Sequence, residues 1–102
     1  MTERDLIRDI RVELTARGYR TIKLWGGPYT EPGLPDVLAI KDGRAFFFEV
    51  KMPSGKLTRI QEYVMADLRR HGALAECVRS VADLPVRVRT QTGLSRGLRG
   101  EP

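Results

Sequence analysis

Gly33-Leu34-Pro35-Asp36-Val37-Leu38-Ala39-Ile40-Lys41-Asp42-Gly43-Arg44-Ala45-Phe46-Phe47-Phe48-Glu49-Val50-Lys51 is the stretch around which the chain is organised. Two apolar-rich runs, Asp36–Lys41 and Arg44–Lys51, flank Asp42-Gly43. Both central positions of a type I′ turn need positive φ, which this dipeptide tolerates, so the spacing predicts a β-hairpin. The two-residue period of a strand places Phe46, Phe48 and Val50 on one face and Phe47, Glu49 and Lys51 on the other. Pro35 fixes the backbone entering the first strand, and closure at 42–43 sets Asp36 opposite Glu49 to within a residue. Two carboxylates and one ammonium thus converge at one end of a sheet.

Carboxylate oxygens are the ligands a hard cation such as Mg²⁺ prefers, with the remaining positions left to water and phosphate. A lysine beside them can orient water or neutralise charge developing on a phosphate. Taken singly, Glu49 and Lys51 also read as the solvated face of an edge strand, and Asp36 as a turn residue. Three consecutive aromatics, Phe46-Phe47-Phe48, are unusual in an exposed strand and favour the joint reading.

Working outward toward the N-terminus, residues 2–17 read as an amphipathic helix with Thr2 as N-cap and Gly18 as its stop. Leu6, Ile7, Ile10 and Leu14 form one apolar stripe. At about 100° per residue, Glu3 falls near the centre of that stripe, Asp5 on the opposite side and Glu13 well off it. A carboxylate aimed at a core needs a partner or a metal; a first-turn Glu that stays in water and favours the helix dipole is the alternative. Tyr19–Trp25 alternates like a strand, and Gly26 to Leu34 carries loop signals. Trp25 and Tyr29 are candidates for stacking on bases or sugars, or else for half-buried packing.

Toward the C-terminus, Met52 to Lys56 reads as a turn with Lys56 placed for a phosphate contact, or as an ordinary exposed lysine. Thr58 to His71 reads as a second helix with Ile60, Val64 and Leu68 on its buried stripe. Gln61 either completes a capping box with Thr58 or turns toward the carboxylates; one amide in one rotamer is not expected to do both. His71, at that helix's end, reads as structural. Leu74–Arg79 is a last core strand, Ser80 caps a turn at Val81–Leu84, and Val86–Arg89 alternates like an edge strand or arm. From Thr90 the chain loses periodicity, so residues 1–89 read as one domain and 90–102 as a disordered basic tail. The order of helix, three strands, helix and strand predicts an α/β fold with a mixed central sheet flanked by helices.

At 102 residues there is material for one core. A net charge of +5 and a pI near 9.9 suit an anionic partner. The single Cys77 excludes an internal disulfide and a cysteine-based zinc site; in its apolar pattern it reads as a buried, inert thiol of a reducing interior. No run approaches membrane-span length, so an intracellular, cytoplasmic protein without a membrane partner is expected.

Pro35-Asp36 followed by Glu49-Val50-Lys51 matches the PD-(D/E)XK nuclease signature. With Gly33-Leu34, Phe48, Gly55-Lys56-Leu57-Thr58, Gln61 and His71-Gly72 in that order, residues 3–84 resemble the VRR-NUC (virus-type replication-repair nuclease) branch. The resemblance implies a restriction-endonuclease-like fold and a Mg²⁺-dependent DNA nuclease, with Mn²⁺ able to substitute. Asp36, Glu49 and the Val50 carbonyl would hold the metal, Lys51 would position or activate water, and Glu3 and Gln61 would support the site. It also implies branched DNA as substrate, such as Holliday junctions or flaps, in repair, recombination or phage replication, and a protein of bacterial or phage-encoded type. A homodimer is expected, because one short chain carries one site and cutting two strands needs two; the 25–34 loop and Val86–Arg89 are the candidate contacts. Rival readings are a junction resolvase of another PD-(D/E)XK branch, a restriction-type enzyme, and a non-catalytic nucleic-acid-binding module or docking subunit.

Overall fold

Two threonines start the two helices. Thr2 Oγ1 accepts the Asp5 N–H at 3.1 Å while Asp5 Oδ2 accepts the Thr2 N–H at 3.0 Å. Thr58 and Gln61 repeat the arrangement at 3.2 and 2.9 Å. Each reciprocal pair satisfies donors that a first turn leaves orphaned. Asp5 therefore serves the helix start, and the hydrogen bonds from Thr2 hold its carboxyl below the usual range.

The computed structural model describes residues 1–24 and 30–84. Helix α1 spans Glu3–Ala16 and is followed by β1 (Arg20–Lys23), β2 (Val37–Lys41) and β3 (Arg44–Val50). Helix α2 (Arg59–Arg70), β4 (Leu74–Val78) and a 3₁₀ turn at Val81–Asp83 complete the chain order. The expected Val86–Arg89 arm, the 90–102 tail, Trp25 and Tyr29 lie outside the described residues.

The sheet order is β1-β2-β3-β4, antiparallel through β3, with β4 parallel to β3. The hairpin closes where expected: Asp42 has φ 53° and Gly43 φ 77°, and Lys41 pairs with Arg44. The parallel β3–β4 pair requires a crossover, which α2 supplies. Helix α1 covers one face, where Leu6, Ile7, Ile10 and Leu14 meet Val37, Ala39, Phe46, Phe48 and Val50. Tyr19 packs edge-on against Phe46 with ring centroids 5.5 Å apart. From β2, Lys41 Nζ donates to the Arg17 carbonyl at 2.8 Å, satisfying an acceptor just past α1.

Helix α2 packs against β4 and buries Val64 and Met65. Ile60, expected on the buried stripe, is instead 50% exposed. It stands in the first turn, where α2 faces the 30–34 loop rather than the sheet. An arginine also closes on a carbonyl of each outer strand: Arg20 Nη1 on Thr21 O at 2.9 Å in β1, and Arg69 Nε on Ala75 O at 2.9 Å in β4.

Gly33 explains how that loop comes so close. Its φ is +82°, and a Cβ there would lie 2.9 Å from both Cγ1 and the carbonyl oxygen of Ile60. Substituting Gly33→Ala therefore forces a left-handed alanine into backbone contact. The expected loss is roughly 1–3 kcal/mol, read as a lower thermal midpoint. Gly43→Ala, whose Cβ would meet nothing within 4 Å, should cost less, about 1 kcal/mol.

Candidate active site

Extending the β2–β3 register one step beyond the Val37–Phe48 pair sets Asp36 across from Glu49. Asp36 is tied down from both sides. Its Oδ2 accepts the Val50 N–H at 2.8 Å, and its carbonyl accepts the Leu24 N–H at 2.8 Å. A residue in an extended strand sends its N–H and C=O toward the same neighbour, so the Val50 carbonyl also faces the Asp36 side.

Glu49 is 2% exposed, an unusual place for a carboxylate. Its Oε2 accepts from Gln61 Nε2 at 3.2 Å and lies 3.9 Å from Lys51 Nζ. Its Oε1 is buried with no hydrogen-bond partner. Burial pushes the Glu49 pKa up to about 8; the nearby Asp36 carboxylate adds to the rise, and Lys51 opposes it. Glu49 therefore holds its proton more tightly than a free carboxyl group does.

Gln61 corrects the expectation that its two roles exclude one another. Its Oε1 accepts the Thr58 N–H to close the capping box, while Nε2 donates to Glu49. The two ends of one amide serve the two tasks, so the start of α2 is locked to the site. Glu3 corrects a second expectation, because it is exposed rather than aimed into the core. The buried stripe of α1 begins only at Leu6, so at the first turn the inward direction still meets solvent. The Glu3 charge nonetheless reaches Glu49 and adds to the rise of its pKa, which puts Glu3 on the rim.

Lys51 is mostly buried, and its N–H donates to Val78 O at 3.1 Å. The turn beyond it is pinned by Arg79, whose Nη1 donates to the carbonyls of Met52 at 3.0 Å and Gly55 at 2.5 Å. Arg79 carried no local signal of this role, since its partners lie 27 and 24 residues upstream. Lys56 is exposed beyond that turn. Cys77 pairs with Glu49 across β3–β4 and is half-buried rather than buried; desolvation raises its pKa, keeping it a thiol. His71 caps the end of α2, with Nδ1 2.8 Å from the Asp67 carbonyl, a structural position.

Among the described residues, no three His, Cys, Asp or Glu side chains gather into a ready cage for an ion. Mg²⁺ does not demand one, because it commonly takes one or two carboxylates and keeps several waters. Asp36 and Glu49 meet that requirement, and Glu49 Oε1 is a buried carboxyl oxygen with no hydrogen-bond partner. The donor set fits a hard divalent cation.

No family model matches the sequence, and no curated protein matches it. A solved structure described as a VRR_NUC domain superposes with a TM-score of 0.66 at 23% identity, covering 93% of this chain and 94% of that one. The chain has the fold of a VRR_NUC domain, so the expected α/β class and the resemblance hold at the level of fold. No described helix is long and apolar enough to cross a membrane.

The raised Glu49 pKa sets a pH dependence of known sign. The group binds its proton more tightly folded, at about 8, than at its ordinary value of 4.5. Metal-free protein should thus lose stability as pH rises from about 4.5 to about 8. Glu49→Gln removes that loss. In chelator at pH 8.5 the variant should exceed the parent by roughly 2 kcal/mol, with the difference closing by pH 5. Parallel melting curves across that range would contradict the burial of an unpaired carboxylate.

Proposed function

We propose that this chain is a divalent-metal-dependent nuclease that hydrolyses phosphodiester bonds in branched DNA and acts as a homodimer. The observation that carries the reading is Glu49: a buried carboxylate against Asp36, with one oxygen unpartnered, on a fold shared with a VRR_NUC domain. A structural ion pair would leave no such oxygen, and burying it without purpose is costly.

Asp36, Glu49 and the Val50 carbonyl would hold the cation. When bound, Mg²⁺ or Mn²⁺ supplies Lewis acidity toward phosphodiester oxygens and acidifies water. Glu49 would give up its proton on loading. Lys51 orients the attacking water and offsets charge growing on the phosphate, its ammonium confined by burial. Gln61 fixes the Glu49 rotamer and, through its cap, the register of α2 against the site. Glu3, at the rim, adds negative charge that favours the loaded state, and exposed Lys56 is placed to meet a flanking phosphate.

A panel of labelled single strands, duplexes, flaps and four-way junctions with Mg²⁺ or Mn²⁺ tests the activity and its preferred DNA shape. Glu49→Gln and Lys51→Ala should each lower cleavage at least 100-fold while DNA binding persists. Mn²⁺ should raise the thermal midpoint of the parent and not of Glu49→Gln. Uptake of no metal, or near-normal cutting by Glu49→Gln, would sink the assignment.

One site per chain and two strands to cut at a junction favour a two-fold pair. Light scattering at micromolar concentration should give twice the 11.5 kDa chain mass. A clean monomer that nicks one strand at a time would end the dimer proposal and leave the nuclease proposal standing.

A further inference from the structure

A groove of about 540 Å³ runs between the outer side of α1 and the edge strand β1, lined by residues that include Arg4, Arg8, Arg11, Val12 and Lys23. On α1, positions 4, 8 and 11 share one helical face. The seven residue steps from Arg4 to Arg11 carry these guanidinium groups along about 10 Å of helix. Arg8 is held by Asp5 and Asp9 at 3.3 and 3.2 Å, while Arg11 Nε donates to Thr21 Oγ1 at 3.2 Å. Among the described residues that line the groove none is acidic, the nearest carboxylates being the Asp5 and Asp9 partners of Arg8. Ile7 is buried beneath it, and Val12 stands 64% exposed on its wall.

The groove opens at the catalytic end of the sheet. Lys23 pairs with Val37, next to Asp36, and Arg4 follows Glu3, whose charge is felt at Glu49. We infer that this groove is a track for a single strand of nucleic acid, the unpaired tail that leaves the scissile phosphate. The inference rests on the nuclease reading for its direction, and on the groove's own chemistry for its ligand. A row of cations beside an apolar wall matches a chain of phosphates carrying flat apolar bases. A second copy docking by this face would set arginine against arginine.

The test separates binding from cleavage. The full chain in chelator is titrated with a fluorescent single-stranded oligonucleotide at several salt concentrations, and anisotropy is read. Arg4→Gln combined with Lys23→Gln should weaken binding about tenfold or more and reduce the logarithmic salt slope by roughly 1.4, or 0.7 per lost phosphate contact. Both residues are exposed, and circular dichroism checks the fold. Val12→Glu, which sets an anion on the wall, should weaken binding comparably. Arg70→Gln, on the far end of α2, serves as the control and should leave affinity within twofold. Unchanged affinity and slope in the double variant and in Val12→Glu would overturn the track. So would substitutions that alter the scattering mass and leave the oligonucleotide bound, which would assign the groove to a second copy. Loss of binding in the variants of a parent that cuts nothing would keep the track and end the nuclease reading.

Discussion

A carboxylate with almost no access to water must be held by something, and in this chain the holding of Glu49 organises its surroundings. The hairpin brings Asp36 across from it, the parallel strand β4 closes the other side, and α2 donates an amide to it from above. Gln61 and Lys51 meet Oε2, Asp36 adds repulsion, and Oε1 is left unanswered. The fold therefore sets two carboxyl groups so close that ionising both is opposed, a repulsion that a proton or a cation relieves. Ordinary cores avoid such pairs, because replacing them with apolar groups is commonly neutral or stabilising. In the metal-dependent reading proposed above, the relieving cation would be the working part.

Much of this was legible in the sequence because it depends on local rules. Asp42-Gly43 specified the turn, and the turn set the register that places Asp36 and Glu49 together. The β-α-β order specified a parallel pair. The misreadings arose where a helical wheel was carried past the end of its support. Glu3 and Ile60 each lie in the first turn of a helix, on the face that the wheel calls inward, but no sheet lies behind them. A wheel gives direction and says nothing of what stands in that direction.

Other features had no local signature. Arg79 reaches carbonyls of a turn far upstream, and Gly33 meets Ile60 across the fold. Both contacts depend on tertiary distances that periodicity does not encode. The double use of Gln61 is a subtler case. Its cap and its proximity to the site were each readable, and only coordinates show that the two ends of the amide point at the two partners simultaneously.

The arginines on the outer strands have a further effect. Arg20 and Arg69 each place a guanidinium on a carbonyl of β1 and β4, where an incoming backbone would otherwise find an acceptor. A neighbouring chain that tried to extend the sheet would first have to displace a charge-assisted hydrogen bond and accommodate a bulky cation. Strand-by-strand accretion, the route to fibrils and runaway oligomers, is thereby obstructed at both edges of the sheet that the described residues form. Any pairing of copies, such as the proposed dimer, would then run through side chains and loops, where geometry can close on a finite number of subunits.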